Sequence, residues 1–152
     1  MALNLAGEND TIHVASGTYQ ENVIWPDDKT GIQLLGEDKE TTIIDGDHNG
    51  NVIIIHGVDE TSLISGFTLT NGDSDLDQDG WGSGGGMHID NSDLSVENLR
   101  ITNNYASHNA GGVLINQCSP HFKHVLISDN ITDGSGGGIV VYGFGAPTHP
   151  IF

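Results

Sequence analysis

The sequence predicts an all-β fold, a right-handed parallel β-helix of five to six coils with three short strands in each coil. Three observations predict it. A paired-glycine motif returns at a fixed interval, at Gly85, Gly111 and Gly137, which marks a repeat unit of about 26 residues. Apolar residues within each return sit two apart, which is the period of a strand with one face buried. No useful window carries the roughly 3.6-residue period of a helix.

The repeat is clearest between residues 63 and 152. Gly84-Gly-Gly-Met-His-Ile89 comes back as Ala110-Gly-Gly-Val-Leu-Ile115 and again as Gly136-Gly-Gly-Ile-Val-Val141. A second motif runs in step with it: Phe67-Thr-Leu-Thr-Asn71, Leu99-Arg-Ile-Thr-Asn103 and Val125-Leu-Ile-Ser-Asp129. Ile64, Val96 and Phe122 each stand three residues before that motif. Five inward columns follow: Ile64/Val96/Phe122, Phe67/Leu99/Val125, Leu69/Ile101/Ile127, Met87/Val113/Ile139 and Ile89/Ile115/Val141. One such unit cannot bury its apolar face alone, so the units are expected to stack as a solenoid.

The turns agree with this reading. Asn71, Asn103 and Asp129 occupy one position, and Gly72, Asn104 and Asn130 the next. Asn, Asp and Gly tolerate left-handed backbone, and stacked Asn amides can bond from coil to coil. In the less regular first half, Thr11–Val14, residues 22–24, 31–35, 41–44 and 51–55 read as strands between turn residues. Residues 2–7 are expected to be the tail of a helix that caps the first coil, since an open solenoid end needs cover. The whole chain, 1–152, reads as one β-helix domain and as a piece of a longer protein, because residues 147–152 begin a further coil and stop.

Composition narrows the function. With 21 acidic residues against 4 Lys plus Arg the net charge is −17, which disfavours nucleic acid as a partner. No apolar run is long enough to span a membrane, and the first residues lack the basic and apolar parts of a signal peptide. A single cysteine, Cys118, excludes an intrachain disulfide.

Several segments resemble a known family. The stretch Asp10-Thr-Ile-His-Val-Ala-Ser-Gly-Thr-Tyr-Gln-Glu-Asn22 is similar to the opening segment of pectin-lyase-like β-helix proteins. Thr41–Gly46, Ile64–Gly72, Gly84-Gly-Gly and Cys118-Ser-Pro120 are similar to repeats of bacterial right-handed β-helix repeat proteins. The resemblance implies the fold, and a bacterial protein that is secreted or held at the cell surface. It leaves function open, since that group holds lyases, hydrolases, epimerases and adhesins.

Candidate chemistry centres on an insertion. Gly72 to Ser83 spans 11 steps where Asn104 to Asn109 spans 5, and the extra residues include Asp73, Asp75, Asp77, Asp79 and Trp81. Alternate carboxylates followed by Gly80 match the opening of calcium loops, although Gly86 stands where an EF-hand has its bidentate Glu. Calcium is therefore the candidate cofactor, and the plainer reading of a solvated acidic loop stands beside it. Trp81 and His88 beside this loop, and Arg100 on an outward strand position, are candidate contacts for a polysaccharide. The Asp45-Gly-Asp-His-Asn49 segment reads as a turn. Leu114, Val140 and Leu126 are expected to face outward, which suggests a covered surface and self-association. No residue set marks a catalytic centre, so the sequence favours a non-catalytic extracellular module, either a spacer or a carbohydrate-binding surface. The alternative is a polysaccharide lyase or hydrolase, or part of one.

Overall fold

The computed structural model describes residues 2–27, 29–76, 82–143 and 148–152. They form a parallel β-solenoid of about five turns whose strands assemble into three five-stranded parallel sheets. The first sheet stacks Thr11–Val14, Gln33–Gly36, Leu63–Ser65, Ser95–Glu97 and His121–Lys123. The second stacks Gly17–Gln20, Thr42–Asp45, Thr68–Thr70, Arg100–Thr102 and Leu126–Ser128. The third stacks Val23–Ile24, Ile53–His56, Met87–Asp90, Val113–Asn116 and Ile139–Tyr142.

Register follows the apolar columns. Val96 pairs with Ile64 and Phe122, Ile101 with Leu69 and Ile127, and Val113 with Met87 and Ile139. These side chains fill one continuous lumen, closed below by Leu3 and Ala6. The cap expected of residues 2–7 is a single 3-10 turn, Ala2–Asn4, held by Lys29 Nζ donating to the carbonyls of Asn4 and Ala6. Each fully buried Ile or Leu contributes on the order of 1.5–3 kcal/mol, so the core is a sum of many modest terms along the axis.

Corners are set by backbone chemistry. Asn71, Asn103 and Asp129 all lie in the left-handed region, at φ 55°, 56° and 55°. The next position carries the amide ladder expected from the sequence. Asn104 Nδ2 donates to Asn130 Oδ1 at 2.9 Å, and Asn104 Oδ1 accepts from the Gly72 N–H at 2.8 Å. At the same corner, where the chain enters the third sheet, a Cβ on Gly85 would stand 2.1 Å from the Tyr105 carbonyl oxygen, and one on Gly111 would stand 2.3 Å from that of Ile131. Glycine is required there by close approach of successive coils.

The structure corrects two expectations. Leu114 is buried, not exposed, although its strand position points outward. It lies between His88 and Val140 in the ladder, and the corner at Gly84 curls against it, since a Cβ on Gly84 would stand 3.0 Å from the Leu114 Cβ. Val141 occupies an inward column but is 41% exposed, because among the described residues no strand pairs beyond Ile139–Tyr142. Two features were not anticipated: the second-sheet strand Gly17–Gln20, and a short pair, Tyr105–Ala106 with Ile131–Thr132, at the corner after the second sheet.

Candidate functional site

The predicted site residues fall on different faces of the solenoid. Arg100 is on the outer side of the second sheet, paired in register with Thr68 and Leu126. Its guanidinium donates to Glu40 Oε1 at 2.8 Å, so it is engaged in a half-exposed ion pair. His88 is on the outer side of the third sheet, between Ile54 and Leu114. Asp73 and Asp75 open the insertion at the corner between those two sheets. Asp77, Asp79 and Trp81 lie outside the described residues.

At that corner Asp73 bridges Gly50 and Tyr105, and its carboxylate accepts from the Asp75 N–H at 3.1 Å within the 3-10 turn Ser74–Leu76. The sequence reading missed the neighbours that the stacking brings here. Tyr105 donates its phenolic proton to Asp133 Oδ2 at 2.8 Å. That bond, with partial burial and the charges of Asp133, Asp75 and Asp73, pushes the Tyr105 pKa up to about 12. A phenol so held is a neutral donor at ordinary pH. Among the described residues no group of three or more His, Cys, Asp or Glu is arranged to hold a metal ion. The Asp45–Asn49 segment is a turn as expected: Asp45 Oδ1 accepts from the Asp47 N–H and from Asn71 Nδ2, while Asp47 and His48 adopt positive φ.

A more ordered polar array lies on the outer side of the third sheet. His56, Asp90, Asn116 and Tyr142 are successive partners in the ladder, one per coil. Neighbouring side chains in such a column stand about 4.8 Å apart, the spacing of stacked strands. Asp90 organises it. Its Oδ1 accepts from Asn116 Nδ2 at 2.7 Å, and its Oδ2 accepts from Asn91 Nδ2 at 3.0 Å and stands 3.2 Å from His56 Nε2. His56 Nδ1 in turn faces Asp27 at 3.9 Å. Beside this column runs an apolar one, Ile24, Ile54, Leu114 and Val140, interrupted by His88. The signal was present in the sequence, because Asp90, Asn116 and Tyr142 recur at the same interval as the paired glycines.

Two other features stand apart from these residues. An apolar cavity of about 280 Å³ sits between the cap and the first coil, lined by Leu3, Ile12, Val14, Tyr19, Leu34 and Phe67 among others. Cys118 is buried, and burial pushes its thiol pKa up, which makes it a packing residue.

The sequence matches no known protein family, and no curated protein aligns with it significantly. Among solved structures, a pectin methylesterase from Yersinia enterocolitica superposes with a TM-score of 0.47 and 15% identity, over 88% of this chain and 50% of that one. The likeness concerns the fold alone. The chain spans about half the length of that enzyme.

Proposed function

We propose that this chain is a non-catalytic extracellular β-helix module that binds a neutral polysaccharide along the outer side of its third sheet. The observation that carries the reading is the in-register column His56, Asp90, Asn116 and Tyr142, flanked by the aliphatic column. Amide and carboxylate groups at strand spacing suit the hydroxyls of an extended glycan, and the Tyr142 ring suits the apolar face of a sugar. The charge of −17 favours an uncharged chain over a polyuronate. Support for binding without turnover comes from the engagement of the polar groups. Asp90 already has Asn116, Asn91 and His56 around it, its ladder neighbours are not carboxylates, and Tyr105 is held protonated. Calcium at Asp73, Asp75, Asp77 and Asp79, as a stabiliser of the insertion, is the second part of the proposal.

Affinity electrophoresis through gels containing a neutral glucan, a neutral galactan or polygalacturonate tests it. Retardation by a neutral polymer is expected, weakened roughly tenfold, or about 1.4 kcal/mol, in Asn116→Ala and Tyr142→Ala proteins of unchanged melting temperature. Release of reducing ends or unsaturated products would show an enzyme. Retardation by polygalacturonate alone would reverse the assignment of a neutral ligand. Melting curves in calcium and in chelator should differ if the insertion holds the ion, because a ligand of the folded state raises its stability by mass action.

A further inference from the structure

The polar column on the third sheet is evenly spaced although the chain between its members is not. His56 and Asp90 are 34 residues apart and Asp90 and Asn116 are 26 apart, yet each pair is matched directly across neighbouring strands. Backbone hydrogen bonding between coils therefore sets the interval, at about 4.8 Å per coil. The turn after the column repeats as well: Gly57, Asn91 and Gln117 follow its members and all adopt positive φ, at 68°, 47° and 53°. Two residues earlier in the same strands stand Ile54, His88 and Leu114. At roughly 3.3 Å per residue the two columns run about 6.6 Å apart, close to the breadth of a pyranose ring.

The side chains of the column keep bonding capacity after bonding to one another. Asn116 gives one Nδ2 proton to Asp90 and retains its Oδ1 and its second proton. Asp90 accepts from Asn116 and Asn91 and faces His56 Nε2 at 3.2 Å, which uses three of the about four acceptor positions of a carboxylate. With Nε2 turned to Asp90, His56 presents Nδ1, 3.9 Å from Asp27, on a side chain that is 52% exposed. Three successive coils thus each offer one polar group that can exchange hydrogen bonds with a hydroxyl. Ile54, half-buried, offers apolar surface beside the first of them.

We propose that the glycan lies along the solenoid axis, one sugar ring per coil, and that it is a neutral chain of equatorially linked β-(1→4) pyranoses. This rests on the polysaccharide reading above and narrows it. A β-(1→4) chain with both linkage bonds equatorial is a flat, extended ribbon whose rise per sugar is close to one strand spacing, so successive hydroxyls fall on successive coils. An α-(1→4) or β-(1→3) chain curls, and its hydroxyls leave the line of the column within a short run. A chain laid along a strand would meet a single member of the column, since neighbouring members belong to different coils. The matched spacing also lowers the ordering cost of binding, because neither partner has to bend.

Isothermal titration calorimetry of the full chain with soluble glucose oligomers tests the proposal. β-(1→4)-linked disaccharide and trisaccharide should differ in affinity by roughly threefold or more, in favour of the longer. α-(1→4)- and β-(1→3)-linked trisaccharides should bind roughly tenfold more weakly than the β-(1→4) form. His56→Ala and Asn116→Ala, two coils apart, should each weaken the β-(1→4) trisaccharide roughly tenfold at unchanged melting temperature. Equal affinity for the other linkages, no gain from two sugars to three, or sensitivity to only one of the two substitutions would overturn the axial β-(1→4) chain and leave the neutral-polysaccharide reading in place. No binding of any neutral oligomer or polymer would overturn both.

Discussion

Replacing Asn104 by alanine tests the amide ladder that ties the middle coils together. The side chain is almost wholly buried and serves three coils at once. Its Oδ1 accepts from the Gly72 N–H at 2.8 Å. Its Nδ2 donates to Asn130 Oδ1 at 2.9 Å and contacts the carbonyls of Leu69 at 3.2 Å and Thr102 at 3.1 Å. In Asn104→Ala the buried Gly72 N–H loses its partner, at a cost of about 1–3 kcal/mol. The Leu69 carbonyl and Asn130 amide lose part of their bonding, which adds about 1 kcal/mol. Asn130 Oδ1 still accepts from the Asn104 backbone N–H at 3.0 Å, which limits the damage on that side. The expected loss is about 2–4 kcal/mol, a large share of the roughly 5–15 kcal/mol available to a domain. At roughly 2–4 °C per kcal/mol for a chain of this size, the melting temperature should fall by about 4–16 °C. Urea denaturation followed by circular dichroism measures it, with Asn130→Ala and the double variant completing a cycle. The two losses should fall short of adding, because the partners share a bond. A loss under about 0.5 kcal/mol, or strict additivity, would refute the ladder as a source of stability.

The Tyr105 pairing makes a pH prediction with a defined sign. Its pKa is raised in the folded state to about 12, so the folded chain holds that proton more tightly than the unfolded chain does. The associated stability is fully present below about pH 10, the ordinary tyrosine value, and is lost as pH rises from there through about 12. Ultraviolet titration should show a tyrosine step near pH 12 that disappears in Tyr105→Phe and moves toward ordinary pH in Asp133→Asn. A Tyr105 that ionises near pH 10, the ordinary tyrosine value, would contradict the bond to Asp133.

Where coils have equal length, the sequence speaks plainly. Val96 to Phe122 is one full repeat, and every column through the last three turns has the register that the repeat predicts. In the first sheet the earlier steps, Ile12 to Leu34, Leu34 to Ile64 and Ile64 to Val96, are unequal, each longer than the one before. Loops of unequal length hide the repeat there, because stacking fixes only the strands. The strand Gly17–Gln20 is hidden further by its residues, with Tyr19 as its single large inward side chain. Leu114 departs from its pattern because alternation predicts direction, whereas burial also depends on how a corner curls over the face. The acidic insertion is visible as an excess of residues, but Tyr105 and Asp133 reach it from later coils and share no sequence motif with it. The column Asp90, Asn116 and Tyr142 has the spacing of the repeat, yet polar outward positions carry no core signal that would single it out.

Adjacent substitutions in one strand test the coil register, on which every placement above depends. Ser95 and Val96 are neighbours in Ser95–Glu97, the first facing out between Leu63 and His121, the second fully buried between Ile64 and Phe122. An aspartate at position 96 would leave a carboxylate unpaired in the lumen, at a cost of several kcal/mol, comparable with the whole stability of a domain. The same side chain at position 95 joins an outer face that already carries Glu97 and Lys123. Thermal melting of the two variants gives the answer: Val96→Asp should fail to fold, and Ser95→Asp should melt within a few degrees of the parent. A folded Val96→Asp protein with a near-parent melting temperature, or an unfolded Ser95→Asp protein, would contradict the register.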